Sequence, residues 1–177
     1  MRASLLLVLL ITVASPLTGC GQNLGWSVLK QQIRAAYPDV QQLSTDSLST
    51  WLATEDRPVP VLLDVRTEPE FAVSHLPDAR RLDPETSDFA ALDTLPRDTP
   101  LVTYCSVGYR SSDMAERLQA AGFTNVMNLE GSIFAWANES RPVYRDGESV
   151  QQVHPYDAVW GKLLDKELRT YEPAPEQ

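Results

Sequence analysis

The sequence contains little cysteine and histidine, and it has no cluster of basic side chains. Among 177 residues, only Cys20 and Cys105 carry thiols and only His75 and His154 carry imidazoles. This number and spacing exclude a disulfide scaffold and a cysteine-based zinc site. Fifteen Lys and Arg stand against 24 Asp and Glu, for a net charge of −9. Because binding nucleic acid requires clustered Lys and Arg, we expect no nucleic-acid partner, and we expect no metal or other cofactor.

No apolar run is as long as the ~20 residues that a transmembrane helix needs. Residues 5–14 are apolar except for Thr12, and a Ser-Pro pair and the sequence Leu17-Thr18-Gly19-Cys20 follow. A run of this length is typical of a secretory signal. The sequence Leu-Thr-Gly-Cys resembles a bacterial lipobox, which implies cleavage before Cys20 and acylation of its sulfur.

We therefore expect residues 1–19 to be a lipoprotein signal peptide. We expect lipidated Cys20 to anchor the protein to a membrane of the cell envelope, facing the extracytoplasmic side. An ordinary secretory signal with a chance cysteine is the alternative.

Beyond this segment, strand and helix patterns alternate, as in an α/β fold with a parallel sheet. Residues 61–65 and 101–104 form mainly apolar runs, the first of which includes Asp64 near its end, and such runs suit strands buried on both faces of such a sheet. Residues 111–121 place their apolar side chains on one helical face, and Gly122 follows the end of that helix. Further strands are predicted at residues 40–43, 79–82 and 126–128, and further helices at residues 26–37, 45–53, 68–73, 87–95 and 132–138.

Segments of different character flank this pattern. Residues 20–39 are interpreted as a tether, at residues 22–25, followed by the first helix. The chain after Pro142 is first polar and loop-like. Apolar residues at i, i+3 and i+4 spacing then predict an amphipathic helix over residues 155–170. We expect residues 143–177 to be a C-terminal extension that docks on the main domain, and a partner-binding helix is the alternative.

One segment, between a predicted strand and a predicted helix, carries reactive chemistry. Its sequence is Cys105, Ser106, Val107, Gly108, Tyr109, Arg110 and Ser111. An open α/β sheet binds its ligand at such a junction, where the unpaired amides of the helix start favour negative charge. Gly108 allows the backbone to curl, and Arg110 adds a permanent charge that either meets an incoming anion or locks the loop through Asp64 or another acid. These surroundings favour a thiolate at Cys105, and a buried structural cysteine is the alternative.

Residues 40–142 resemble a single rhodanese domain. The resemblance is carried, in order along the chain, by residues 63–66, 70–71, 74–79, 105–111 and 129–136. It implies a five-stranded parallel sheet flanked by helices. It also implies a sulfurtransferase in which Cys105 accepts a sulfane sulfur as a persulfide and passes it to a thiol or cyanide.

The resemblance further implies that the amides of residues 106–111 surround the persulfide. It implies that Asp64 and Arg66 brace the loop, and that His75 is structural rather than a general base. Ser74, Asp78 and Ser132 stand where the family usually has glycine, which puts the local turn geometry in question.

Three other functions compete with sulfur transfer: a phosphatase, an arsenate reductase and a non-catalytic module. Related phosphatases have five residues between cysteine and arginine, whereas four separate Cys105 from Arg110. The shorter loop suits a single sulfur atom rather than a tetrahedral oxyanion, and an arsenate reductase would need a second thiol. A non-catalytic rhodanese module that binds a partner or senses reactive sulfur is the remaining alternative. The sulfur donor is open. Arg110 is the only charged residue in the loop and the net charge is negative, so dianionic thiosulfate is not favoured over a persulfide or a protein-borne sulfur.

Overall fold

A computed structural model describes residues 19–173 of the chain, with side chains from residue 25 onward. Residues 1–18 of the predicted signal peptide and the side chain of Cys20 lie outside this part, whereas Gly19 begins the first helix. Within the described residues, no helix combines the length and the apolar character needed to cross a membrane.

The centre of the fold is a sheet of five parallel strands in the order β1-β5-β4-β2-β3. All four residues of β4 are buried, as the continuous apolar run predicted. The predicted α/β class with a five-stranded parallel sheet is therefore confirmed. The strands are β1 (Gln41–Leu43), β2 (Val61–Asp64), β3 (Arg80–Arg81), β4 (Leu101–Tyr104) and β5 (Val126–Leu129).

Helices cover both faces of this sheet. Successive side chains of a strand point to opposite faces, so each face presents apolar side chains for helices to cover. Leu62 belongs to the apolar cluster beneath α1, α2 and α5, whereas its neighbour Leu63 belongs to the cluster beneath α4. The helices are α1 (Gly19–Ala36), α2 (Thr45–Leu52), α3 (Glu68–Val73), α4 (Tyr109–Ala120) and α5 (Ser132–Asn138).

Two secondary-structure predictions for residues that precede Cys105 in the chain are wrong. Residues 22–25, interpreted as a tether, belong to α1. No proline interrupts this stretch, and Gly25 packs close to Leu163 of the C-terminal extension. The helix predicted at residues 87–95 is a single 3₁₀ turn, Ala90–Leu92. There the Asp88 carboxylate accepts the Ala90 amide at 2.9 Å, and such a side-chain bond competes with helix formation.

The C-terminal extension also differs from its prediction. Residues 144–153, interpreted as loop, contain an antiparallel hairpin of β6 (Val143–Arg145) and β7 (Glu148–Val150). Asp146 and Gly147 link the strands with φ of 52° and 81°. Two consecutive positive φ values at an Asp-Gly pair suit the twist of a two-residue hairpin.

The helix predicted over residues 155–170 is replaced by two 3₁₀ turns, Trp160–Leu163 and Lys166–Leu168. Tyr156 has a φ of 64°, which no α-helix accommodates. Gly161 lies so close to Pro155 that a Cβ atom there would come within 2.9 Å of the proline ring. The apolar spacing does not mark a single buried face: Leu164 is buried, whereas Tyr156, Val159 and Trp160 are exposed along a folded-back chain.

Candidate active site

Cys105 directly follows β4, the central strand of the sheet, and its side chain is 1% exposed. The chain turns from the strand into α4 at Gly108, which has a φ of 114°. A Cβ atom on Gly108 would stand 3.4 Å from Asn128 and 3.5 Å from Ile33. The backbone conformation therefore favours glycine here, as the sequence indicated, while a Cβ atom would make only ordinary contacts.

The loop and α4 direct donors at the Cys105 sulfur. The Gly108 amide donates to Sγ at 3.2 Å, and the Ser111 hydroxyl lies 3.5 Å from it. Burial raises the pKa of the Cys105 thiol, but the Arg110 charge and the bonds from Ser111 and Gly108 outweigh it, so the pKa is lowered from its ordinary value. A lowered pKa favours the thiolate, which is the form of cysteine that can act as a nucleophile.

Ser111 is itself positioned by a polar chain that the sequence did not reveal. Its hydroxyl donates to Asn128 Oδ1 at 2.6 Å, and Asn128 Nδ2 donates to Gln42 Oε1 at 2.7 Å. A hydroxyl has a single proton, and the shorter contact is with Asn128. We infer that the Gly108 amide is the stronger of the two donors to the Cys105 sulfur.

The other side of the loop is held by the start of α5. The Ile133 and Phe134 amides donate to the Cys105 and Ser106 carbonyls at 3.2 and 3.1 Å. The Ser132 hydroxyl accepts the Cys105 amide at 3.1 Å. The loop backbone is therefore fixed by residues that are about 30 positions away in the chain.

Each of the three residues that stand where the family usually has glycine is accommodated in a different way. Ser74 is extended, with a φ of −174°, and needs no glycine. Asp78 and Ser132 have φ of 53° and 50°. Asp tolerates this region, and the Ser132 hydroxyl adds bonds to the Cys105 amide and the Leu129 carbonyl.

Arg110 locks the loop through an acid, and that acid is Glu70 rather than Asp64. Two parallel bonds of 3.0 and 2.8 Å join the guanidinium to the Glu70 carboxylate. Ser106 Oγ lies 3.0 Å from both Arg110 Nη2 and Glu70 Oε1. Glu70, on α3 and 2% exposed, is thus a site residue to which the sequence analysis gave no role.

Asp64 and Arg66 form a fully buried ion pair, with 2.6 Å between Oδ2 and Nη2. We expected this pair to brace the loop, but it does not contact the loop directly. Arg66 instead donates to the Ser74 carbonyl at 2.6 Å, and the nearby Tyr104 hydroxyl accepts the Leu76 amide at 3.0 Å. The pair fixes residues 74–76 and the end of β4, so it supports Cys105 through Tyr104.

His75 lies on the outer side of this region. Its Nδ1 is 2.9 Å from the Leu76 carbonyl, and its ring stacks on Phe71 with centroids 4.3 Å apart. Its backbone pairs with Tyr144. These contacts are structural, as the sequence analysis expected.

Glu70 gives the fold a pH dependence that can be measured. Burial raises the Glu70 pKa, but hydrogen bonds and charge from Arg110, with bonds from Thr67, lower it to about 2 from an ordinary value of 4.5. A depressed pKa stabilises the fold above the unfolded value, and this stabilisation is lost as pH falls through the folded value.

We expect the urea midpoint of the wild type to fall between about pH 6 and pH 3, and the midpoint of Glu70→Gln to fall less. The variant lacks the titrating group but keeps the side-chain shape. Equal losses in the two proteins would contradict the assignment of Glu70 as the ionised partner of Arg110.

A cavity of about 320 Å³ opens above Cys105. Of the predicted loop, Ser106, Val107, Tyr109 and Arg110 line it, whereas Gly108 and Ser111 contact the sulfur from below. The remaining wall comes from α1 and the C-terminal extension, which the sequence analysis did not connect to the site. It consists of Leu29, Gln32, Tyr156 and Trp160. Among the described residues, no group of His, Cys, Asp and Glu is placed to hold a metal ion.

Comparisons with known proteins agree with this architecture. A family model for the "Rhodanese-like domain" matches residues 44–139. A "Sulfurtransferase" of Allochromatium vinosum is 37% identical over 105 residues, which cover 59% of this chain and 94% of that protein. A "Probable adenylyltransferase/sulfurtransferase MoeZ" of Mycobacterium tuberculosis is 35% identical over 83 residues, 46% of this chain but 21% of that protein.

Solved structures share the fold. The solution structure of a polysulfide-sulfur transferase homodimer from Wolinella succinogenes superposes with a TM-score of 0.53 at 23% identity, covering 69% of this chain and 90% of that chain. Residues 44–139, which the family model matches, hold four of the five strands, all except β1, and include the whole Cys105 loop. The chain therefore belongs to the rhodanese-like domain family.

Proposed function

We propose that this protein is a sulfurtransferase that carries a sulfane sulfur on Cys105. The observation that carries the proposal is the state of the sulfur atom. Cys105 Sγ is buried at the floor of an open cavity, bonded by the Gly108 amide at 3.2 Å, and its pKa is lowered from the ordinary value. The name of the Allochromatium vinosum relative supports the same chemistry.

The transfer takes place in two displacements at sulfur. The Cys105 thiolate attacks the outer sulfur of the donor and forms an Sγ–S bond. The bond that held this sulfur in the donor breaks, and its electron pair leaves with the rest of the donor, as sulfite from thiosulfate or as a thiolate from an organic persulfide. The acceptor, a thiolate or cyanide, then attacks the same sulfur, and the electron pair of the Sγ–S bond returns to Cys105.

The loop supports both steps with its fixed donors. The Gly108 amide faces the sulfur and stabilises negative charge on the thiolate and on the persulfide. The Arg110–Glu70 pair holds the loop shape, and the Arg110 charge favours the thiolate. The protein is returned to its starting state without an external oxidant or reductant.

Mass spectrometry of the intact protein tests this proposal. After incubation with thiosulfate or inorganic polysulfide, we expect the mass of one added sulfur on Cys105, and we expect cyanide to remove it as thiocyanate. A protein that gains no sulfur from either donor would instead be a non-catalytic module that binds a partner or senses sulfur.

We also propose that the protein acts outside the cytoplasm, anchored through lipidated Cys20. The proposal rests on the order of a short apolar run, a Ser-Pro break and Leu17-Thr18-Gly19-Cys20. A single acyl chain binds membranes only marginally, so stable anchoring requires more than one chain on the modified cysteine.

We expect Cys20→Ala to release the protein from the membrane fraction of its host, while the wild type stays there after a high-salt wash. Immunoblots of the two fractions measure the distribution. A Cys20→Ala protein that still sediments after the wash would show that another part of the chain holds it.

A further inference from the structure

We propose that the cavity above Cys105 selects an apolar organic thiol, R–SH, and its persulfide, R–S–SH, with the R group held by Tyr156, Trp160 and Leu29. The inference rests on the proposed function and names the substrate class of that site. The thiol and the persulfide share one subsite because sulfur donation by R–S–SH is the reverse of sulfur acceptance by R–SH.

The first support is that part of the cavity wall comes from segments outside the family match. The family match covers residues 44–139, but Leu29 comes from α1, and Tyr156 and Trp160 come from the C-terminal extension. These segments turn the opening of the Cys105 loop into a pocket with an apolar wall. Tyr156 and Trp160 are 42% and 37% exposed, so two large aromatic rings stand partly open at its rim.

The second support is that Arg110, the cationic side chain in the pocket, is already paired. Among the described residues that line it, Arg110 is the only Lys or Arg. Its guanidinium is paired with Glu70 through two hydrogen bonds, and its Cζ lies 4.6 Å from the centroid of the Tyr156 ring. A dianion such as thiosulfate would have to compete with Glu70 for this charge, in a protein whose net charge is −9.

The third support is the rigidity of the aromatic wall. Tyr156 is a bulky residue at a φ of 64°, a strained conformation that persists only where its surroundings enforce it. The Tyr156 amide donates to His154 Nδ1 at 3.0 Å, and Asp157 Oδ1 accepts the Val159 and Trp160 amides at 2.8 Å. The backbone that carries both rings is therefore fixed before a substrate binds, which favours affinity for an apolar group.

The transfer to this acceptor balances without a further reactant. The thiolate R–S⁻ attacks the outer sulfur of the Cys105 persulfide, the new S–S bond forms, and the Sγ–S bond breaks. The proton of the persulfide stays on the transferred sulfur. The products are R–S–SH and the Cys105 thiolate.

A single-turnover experiment on the full chain tests the proposal. The protein is loaded with inorganic polysulfide, desalted, and mixed with 2-phenylethanethiol, ethanethiol or cyanide. The two thiols have similar basicity and differ in the phenyl group. Each thiol rate is divided by the cyanide rate of the same variant, so that a general change in the site cancels. For the wild type we expect 2-phenylethanethiol to react at least about tenfold faster than ethanethiol, because its phenyl ring buries apolar surface in the pocket where ethanethiol has only a hydrogen atom.

Variants of the wall locate the preference. Trp160→Ala should bring the ratio of the two thiol rates to within about twofold of unity, and Tyr156→Gly, which suits the positive φ, should lower it as well. Tyr156→Phe keeps the ring and should keep the ratio. Val159→Ala is the matched control, since Val159 is 68% exposed and does not line the pocket.

The outcomes separate the two proposals. A wild type that transfers sulfur to cyanide but reacts equally with both thiols would overturn the apolar subsite alone. A ratio that survives Trp160→Ala and Tyr156→Gly would overturn it too. A protein that retains no sulfur after desalting and yields no thiocyanate would overturn the proposed function.

Discussion

Cys105→Ser should abolish sulfur transfer and leave the fold intact. A serine hydroxyl has nearly the volume of the thiol and can accept the Gly108 amide bond that Sγ accepts at 3.2 Å. It does not ionise near neutral pH and cannot form a persulfide. We expect thiocyanate formation to fall below about one per cent of the wild-type rate, as for the loss of a nucleophile.

The measurement pairs a thiocyanate assay with a thermal melt. Cys20→Ala is the matched thiol control, because it removes the other cysteine of the chain and leaves Cys105 in place. It should keep full transfer activity once purified. Thiocyanate formation by Cys105→Ser at a substantial fraction of the wild-type rate would reject Cys105 as the nucleophile.

Arg110→Ala should reduce the transfer rate by ~10²–10³, the usual effect of removing one electrostatic stabiliser. Two physical effects combine. The loss of the guanidinium removes a charge that lowers the Cys105 pKa, so less thiolate is present at neutral pH. It also frees Ser106 and Glu70, which Arg110 joins at 3.0 and 2.8 Å, so the melting temperature should fall.

The pH–rate profile distinguishes this prediction from a purely structural defect. Since Arg110 lowers the Cys105 pKa, Arg110→Ala should shift the rising limb of the profile to higher pH. Arg110→Lys keeps the charge but loses the two parallel bonds to Glu70, so it should keep part of the activity and much of the profile.

The pairing of Arg110 with Glu70 also predicts how the transfer rates from different sulfur donors change when Arg110 is removed. An arginine that braces the loop slows all donors alike when it is removed, whereas an arginine that binds substrate raises the Michaelis constant for thiosulfate and its salt sensitivity. We expect the first pattern, because Glu70 already occupies the guanidinium. An Arg110→Ala protein with unchanged kinetics and unchanged melting would remove Arg110 from the site.

The parts of the fold that could be predicted are those where local pattern and tertiary environment agree. The apolar run at residues 101–104 predicts a strand buried on both faces, and the structure buries all four residues. Gly108 could be interpreted because its role is a backbone property, expressed in a φ of 114°. Together, the predicted strand, turn and helix placed Cys105 at the junction between β4 and α4.

The missed features depend on contacts between distant residues. The bond between Arg110 and Glu70 spans 40 positions in the chain, and the sequence offers many acids that would serve as well. The apolar spacing of residues 155–170 fits a helix locally, but the packing of Gly161 against Pro155 fixes another course. The hairpin did have a local signal, the Asp146-Gly147 pair, which is a strong indicator of a two-residue turn.

The Cys105 cavity has its floor and its walls in different parts of the chain. The sulfur and its donors belong to residues 105–111, while Leu29, Tyr156 and Trp160 lie toward the two ends. The polar bonds that fix the loop come from Glu70, Asn128 and the start of α5, and none of them passes through that wall. Substitutions of Leu29 or Trp160 can therefore alter which molecule enters while the reacting sulfur keeps its surroundings, whereas Tyr156 also lies against Arg110. In evolutionary terms, the choice of substrate and the chemistry performed on it can change independently in this chain.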